Sequence, residues 1–244
     1  HAAISTDDHF IAVYNFTPAQ SVSIVDVKNR KFLHEVETPG CAEVFAAGAR
    51  AFNMICGDGT MLTLNLDDAG NVETTRSAKF FDPRDDTIDD KMALYGSSWA
   101  FFTKSGKVQM IDMSAGTPTF AEPWPLFSAG QIADDWMAGG YQYATICEST
   151  SELFVLVHRG GQYTHKSPGV DVWVYDLKTR QRTRMITLSH MATSIQVSQD
   201  AAPLLFTADA EHSGIQVYDA ASGVHLHDVT HLATNPLLFW PVNP

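Results

Sequence analysis

Residues 170–186 read VDVWVYDLKTRQRTRMI. An alternating β-type run ends at Asp176, a polar turn follows, and a second β-rich run leaves it: the pattern of an antiparallel hairpin. The same arrangement returns four more times, as SVSIVDVKNRKFLHEV at 21–36, TMLTLNLDDAGNVETT at 60–75, GKVQMIDMSAGTPTF at 106–120 and SGIQVYDAASGVHLHDV at 213–229. Aligning the polar residue that closes each first run selects Asp26, Asn65, Asp112, Asp176 and Asp219, at intervals of 39, 47, 64 and 43 positions. Three of those intervals fall near the ~40–50 residues of a four-stranded propeller blade.

Working outward, short apolar stretches sit between the hairpins: FIAVYNF at 10–16, SSWAFFT at 97–103, ELFVLVH at 152–158 and PLLFTAD at 203–209. They read as the inner strands of successive blades. Thr6-Asp7-Asp8 and the turn from Asp200 to Pro203 precede two of them, where Asp and Pro set a tight backbone locally. The long interval holds PWPLFSAGQIADDWMAGG at 123–140, which breaks the β rhythm and reads as a loop with a short helix across 126–136. The expectation is an all-β β-propeller over a single domain, 1–244, with a β-sandwich as the weaker competitor.

The chain of 244 residues is 45% hydrophobic and 18% charged, enough to bury a large core without a metal or cross-link. Its net charge of −12 repels phosphate backbones and anionic lipid, so neither nucleic acid nor a membrane surface is an expected partner. No apolar run approaches the ~18 residues of a spanning helix. Cys41, Cys56 and Cys147 include no C-x-x-C pair, which argues against a thiolate zinc centre. The small middle of 41–56, Ala46-Ala47-Gly48-Ala49, reads as a hairpin turn that brings Cys41 and Cys56 near each other, either bridged or as two reduced buried thiols.

Signatures of hydrolases, zincins and nucleotide-binding enzymes are missing: there is no G-x-S-x-G, H-E-x-x-H, Walker loop or G-x-G-x-x-G. Asp82, Asp85, Asp86, Asp89 and Asp90 form an acidic run without the glycine and spacing of a calcium loop, and read as a solvated loop. His225 and His227 fall on one strand face with His231 nearby, but no carboxylate lies at fitting spacing, so they read as an exposed edge hairpin and no metal is expected. His158, His165 and His190 stand at strand ends or loops, presenting to a partner or capping a loop. Asn15-Phe16-Thr17 is a weak match to a glycosylation acceptor. Trp124, Trp136, Tyr141, Tyr143 and Tyr163 gather around the non-β insertion, where recognition and packing are equal readings.

Three stretches carry a resemblance to a family: CAEVFAAGARAFNMICGDGTMLTLNLDDAGNVETTRS at 41–77, WMAGGYQ at 136–142 and THKSPGVDVWVYDLKTRQR at 164–182. They resemble the heavy subunit of the bacterial quinoprotein amine dehydrogenases, which include the methylamine and aromatic amine dehydrogenases. The most specific piece is the two spaced cysteines followed directly by Gly57-Asp58-Gly59-Thr60-Met61-Leu62-Thr63, with Gly139-Gly140 and His165-Lys166 matching in order. Wording around Cys56 and Trp173 is closer to the aromatic-amine branch. The resemblance implies a seven-bladed β-propeller, a periplasmic α2β2 heterotetramer, and oxidation of primary amines to aldehyde and ammonia. Tryptophan tryptophylquinone and the catalytic base would belong to the small subunit, and electrons would pass to a blue copper protein of the amicyanin or azurin type. This chain would hold no catalytic residue and no cofactor of its own. The resemblance also implies a Cys41–Cys56 disulfide and a free Cys147. Trp136, Gly139, Gly140, Tyr141, His165 and Lys166 are the expected subunit or channel interface. Competing readings are a stand-alone binding propeller and, more remotely, a propeller hydrolase with a metal in its channel.

Five repeats of about 45 residues occupy ~225 positions, whereas seven need ~315. About five blades are therefore expected within this sequence, with roughly two N-terminal ones outside it.

Overall fold

The computed structural model describes residues 1–161, 163–232 and 238–239. Within them the chain is all-β apart from one short helix. A first sheet is an antiparallel meander of β1 (Ala2–Ile4), β2 (Phe10–Asn15), β3 (Ser21–Asp26) and β4 (Lys31–Glu37), in that spatial order. A second repeats it with β5 (Cys41–Ala47), β6 (Ala51–Cys56), β7 (Met61–Leu66) and β8 (Val72–Arg76). The third is built from β9 (Ile88–Tyr95), β10 (Ser98–Thr103), β11 (Lys107–Asp112) and β12 (Thr119–Phe120), and β13 (Trp124–Pro125) also pairs with β11.

After the helix α1 (Ala129–Ala133), the remaining strands form one eight-stranded sheet: β14 (Trp136–Ala138), β15 (Ala144–Cys147), β16 (Glu152–Arg159), β17 (Gly169–Asp176), β18 (Gln181–Val197), β19 (Leu204–Asp209), β20 (Ile215–Asp219) and β21 (His225–Val229). Both β14 and β15 pair with β16. Strand β18 is 17 residues long and gains a second partner along its length: Gln181 to Thr187 pair with β17, Ala192 faces both Gly169 of β17 and Asp209 of β19, and the pairing with β19 runs on to Val197.

The five hairpins are present as β3–β4, β7–β8, β11–β12, β17–β18 and β20–β21. Their turns share one device. Asp26 accepts from the Asn29 amide at 2.9 Å, Asp112 from Ser114 at 2.8 Å, Asp176 from Lys178 and Thr179 at 2.8 and 2.7 Å, and Asp219 from Ser222 at 2.7 Å. The Ser222 hydroxyl, which donates to Asp219 at 2.6 Å, and these amide bonds hold each carboxyl below the usual carboxylate range. Four residues after each Asp the chain turns left-handed, at Arg30 (φ 51°), Gly116 (φ 79°), Arg180 (φ 60°) and Gly223 (φ 75°). In the second hairpin the role falls to Asp67, which accepts from Ala69 and Asn71, and not to the aligned Asn65. Asn65 lies one position before the end of β7.

Two compact units divide the chain. One comprises His1–Asp90, Ser97–Trp99 and Gln109–Glu122; the other comprises Lys91–Gly96, Ala100–Val108 and the described chain from Pro123 onward. The first has a core in which Phe10, Val22 and Ile24 of the first sheet pack with Phe52, Met54, Leu62 and Leu64 of the second. Cys41 and Cys56 are buried in it, face each other across β5 and β6, and are joined as a disulfide. The turn between those strands contains Gly48 (φ 52°), whose amide donates to Met113 O at 2.7 Å.

In the second unit, Leu153 to Val157 of β16 and Val172 to Tyr175 of β17 are buried without alternation, because both faces of the strands are covered. The outermost β21 is largely exposed, as are β4 and β8 in the first unit. Cys147 is a buried free thiol. No helix among the described residues is long and apolar enough to cross a membrane.

The 123–140 segment is less irregular than its composition suggests. A helix does form, but only over Ala129–Ala133, and the flanking residues are drawn into sheets as β13 and β14. Strands of two and three residues are too short to leave an alternating pattern.

Candidate functional site

The site is built on the segment that follows α1. Ser128 caps the helix, its hydroxyl accepting from Gln131 N at 3.3 Å while Gln131 Oε1 accepts from Ser128 N at 2.8 Å. At the other end Asp135 turns left-handed (φ 62°), and its carbonyl accepts from Gly160 N and Gly161 N at 3.0 and 3.1 Å. Trp136, Met137 and Ala138 then pair with Arg159, His158 and Val157 of β16. Gly139 N donates to Leu156 O (3.1 Å), Gly140 N to His165 O (2.9 Å) and Tyr141 N to Thr193 O (2.6 Å).

Thus Gly139, Gly140 and Tyr141, distant in sequence from His165, are tied by backbone bonds to β16, to the loop after it and to β18. Both glycines are buried. A Cβ on Gly139 would lie 2.3 Å from His158 Cε1 and 2.8 Å from Ser167 O, and one on Gly140 (φ 129°) would lie 2.5 Å from Thr193 O. The Gly-Gly pair is therefore required by close approach. Around it Tyr141, Tyr163 and Lys166 are exposed and His165 is half-buried, whereas Tyr143 is buried and stacks edge-on with Phe102.

His158 is the polar centre of this layer. It is 4% exposed, and its Nε2 lies 2.8 Å from Thr164 Oγ1, whose own proton goes to Gly161 O at 2.7 Å. Nε2 therefore carries the hydrogen, and Nδ1 is a buried lone pair with no hydrogen-bond partner. Burial holds the imidazole below its ordinary pKa, which keeps it neutral.

Trp136 continues into an aromatic and cationic stack that sequence reasoning did not assemble. Its ring lies 4.9 Å from that of Trp173, the Arg159 guanidinium is 5.1 Å from the Trp136 centroid, and that of Arg182 is 4.2 Å from Trp173. Phe127 closes the far side at 5.4 Å from Trp173. Trp173 and Arg182 belong to the paired strands β17 and β18, so the hairpin pattern held the signal for their proximity. Trp136 joins them through β16. Trp124 is buried and stands 5.8 Å from Tyr175, whose hydroxyl donates to Leu126 O at 2.8 Å. The layer combines tilted aromatic rings with two guanidinium groups.

The sequence matches the family described as methylamine dehydrogenase heavy chain (MADH) over residues 1–242. The chain belongs to that family. Relatives include the methylamine dehydrogenase heavy chain of Paracoccus versutus, 30% identical over 236 residues, covering 96% of this chain and 55% of that protein. Another is that of Methylophilus methylotrophus, 28% identical over 244 residues, covering 98% of this chain and 59% of that protein. This family member thus spans less than two thirds of the length of the relatives it matches. Among solved structures, it resembles BamB from Moraxella catarrhalis (TM-score 0.56, 14% identity, 96% of this chain and 65% of that one). It also resembles the dihydro-heme d1 dehydrogenase NirN in complex with DHE (TM-score 0.64, 14% identity, 96% and 48%). Both are β-propeller proteins, and at this identity the likeness is one of fold.

Proposed function

We propose that this chain is the heavy, non-quinone subunit of a periplasmic amine dehydrogenase, acting as scaffold for a small subunit that bears tryptophan tryptophylquinone. The observation that carries the reading is the family match across 1–242. The overall reaction takes a primary amine and water to aldehyde and ammonia, releasing two protons and two electrons, and the electrons pass to a blue copper protein of the amicyanin or azurin type. The quinone would supply the electron sink when the small subunit is bound. Two of this chain's tryptophans are poor candidates for it: Trp173 is 2% exposed and Trp124 5%, out of reach of an amine.

The chain's own part would be to bind and orient. Trp136, Gly139, Gly140, Tyr141, His165 and Lys166 would present the docking or channel surface, held in shape by the backbone bonds to β16 and β18. The buried Cys41–Cys56 disulfide suits an oxidising compartment such as the periplasm. The sheets would be about five blades of a seven-bladed ring, within an α2β2 assembly. Reconstitution tests the reading: amine-dependent dye reduction is expected only when the full-length heavy chain and its small subunit are combined. Turnover by the heavy chain alone, or small-subunit activity indifferent to its presence, would overturn it.

A further inference from the structure

Away from that layer, at the far end of β18, two imidazoles and a carboxylate converge. His190 on β18, Asp209 at the end of β19 and His212 in the turn after it bring one ligand atom each within 4.8 Å of one another. The imidazole rings of His190 and His212 stand edge to face with centroids 4.6 Å apart, and His212 Nδ1 is 3.1 Å from Asp209 Oδ2.

The backbone that carries these groups is held from several directions. His190 N donates to Gln216 Oε1 and Gln216 Nε2 donates to His190 O, both at 3.1 Å; Gln216 is 1% exposed and its Oε1 also accepts from Tyr218 Oη at 2.6 Å. Asp209 Oδ1 accepts from Glu211 N and His212 N at 2.7 and 2.9 Å, and Ala210 N donates to Met191 O at 2.8 Å. The carboxylate is buried, while both imidazoles are exposed and can rotate. Such an arrangement has a fixed anionic floor and two adjustable nitrogen donors.

We infer that His190, Asp209 and His212 form a binding site for a divalent transition-metal ion of the zinc class. Two imidazoles and one carboxylate suit Zn²⁺, Ni²⁺ or Cu²⁺ and disfavour Ca²⁺ and Mg²⁺, which call for oxygen ligands. In a tetrahedral site with bonds of about 2.0–2.1 Å, ligand atoms lie about 3.3 Å apart. The three donors therefore close on the ion by rotation of the exposed histidines, without movement of the strands. Ligation through His212 Nδ1 takes the neutral imidazole with its hydrogen on Nε2, so a ring that donates Nδ1–H to Asp209 changes tautomer on binding. Oδ1 keeps its two backbone donors, the kind of outer bonding that orients a ligating carboxylate. Three protein ligands leave a fourth position for water.

The test is titration of the chelator-treated full chain with Zn²⁺ by calorimetry, with the visible spectrum of the Co²⁺-loaded protein as a second readout. One equivalent of Zn²⁺ is expected, with affinity reduced more than tenfold in His190→Ala, Asp209→Asn and His212→Ala, and unchanged in the edge-strand variant His225→Ala/His227→Ala. A tetrahedral Co²⁺ spectrum should vanish in the first three. His212 lies in an exposed turn, so its replacement leaves the fold intact and reports on the site even where Asp209→Asn does not fold. Absence of stoichiometric binding, or binding that survives His212→Ala, overturns the proposal, as does loss confined to the His225→Ala/His227→Ala variant.

Discussion

Removing the cross-link between Cys41 and Cys56 isolates one contribution to stability. The two residues face each other on β5 and β6 and are buried in the core, so in the native state the strand ladder already holds them together. The bond therefore acts mainly on the unfolded chain, where it closes a loop with a sequence separation of 15. Chain-entropy arithmetic for a loop of that length gives about 3 kcal/mol at 25 °C. With a urea m-value of about 2–3 kcal/mol/M, unfolding in reductant should have its midpoint about 1–1.5 M below that of the oxidised protein. Reduction is preferable to mutation as the first measurement, because the thiols refill the space that the sulfurs occupied. Cys41→Ala/Cys56→Ala should fall at least as far. Thiol counting in denaturant checks the state of the sample: one reactive thiol, Cys147, before reduction and three after it. Coincident unfolding curves with and without reductant, on samples that pass that count, would refute the argument.

Other expectations concern the turns and the candidate site. Arg180 occupies a left-handed position that glycine fills at two of the equivalent turns, as Gly116 and Gly223, so Arg180→Gly should stabilise by about 0.5–1 kcal/mol in chemical denaturation. Gly139→Ala places a methyl group against His158 and Ser167 O; about 1–3 kcal/mol of destabilisation is expected, with weaker capture of the small subunit in a pull-down. Arg184 makes a bidentate pair with Glu152, one bond at 3.0 Å, donates to Ala220 O at 2.8 Å and covers the Phe154 ring. Arg184→Ala should cost about 2 kcal/mol and Arg184→Lys recover only part of it, by thermal or urea unfolding. Buried neutral His158 has a depressed pKa: its contribution is whole above the unfolded value of about 6.5 and is lost as pH falls toward the lower folded value. The thermal midpoint should therefore drop on acidification through that window, and His158→Gln should flatten the drop.

The hairpins were legible because each packs its whole message into about sixteen residues: alternation, an acceptor that caps the turn, and alternation again. The misaligned second turn shows the limit. Asn65 and Asp67 are both plausible acceptors in the sequence, and only the backbone amides of Ala69 and Asn71 distinguish them. Within the candidate site, Gly139-Gly140 and His165 were selected together, and a direct backbone bond joins Gly140 to His165. By contrast the Trp136–Trp173 stack and the His190–Asp209–His212 cluster bring together side chains from separate elements, and no local periodicity encodes them. The edge-strand histidines that drew attention in the sequence are exposed on β21, where His225 bonds Asp228 at 2.8 Å.

One long strand has a consequence for how this architecture can vary. Between the third and fourth hairpins the chain carries α1 flanked by the short strands β13 and β14, so added residues there can be accommodated as surface excursions. Within β18 there is no such break: it pairs with β17 through Thr187, meets both Gly169 and Asp209 at Ala192, and continues along β19 to Val197. An insertion near residue 190 would have to split a strand whose two halves are each held in a ladder. Length differences, domain fusions and circular permutants should therefore be admissible around α1 and refused inside β18.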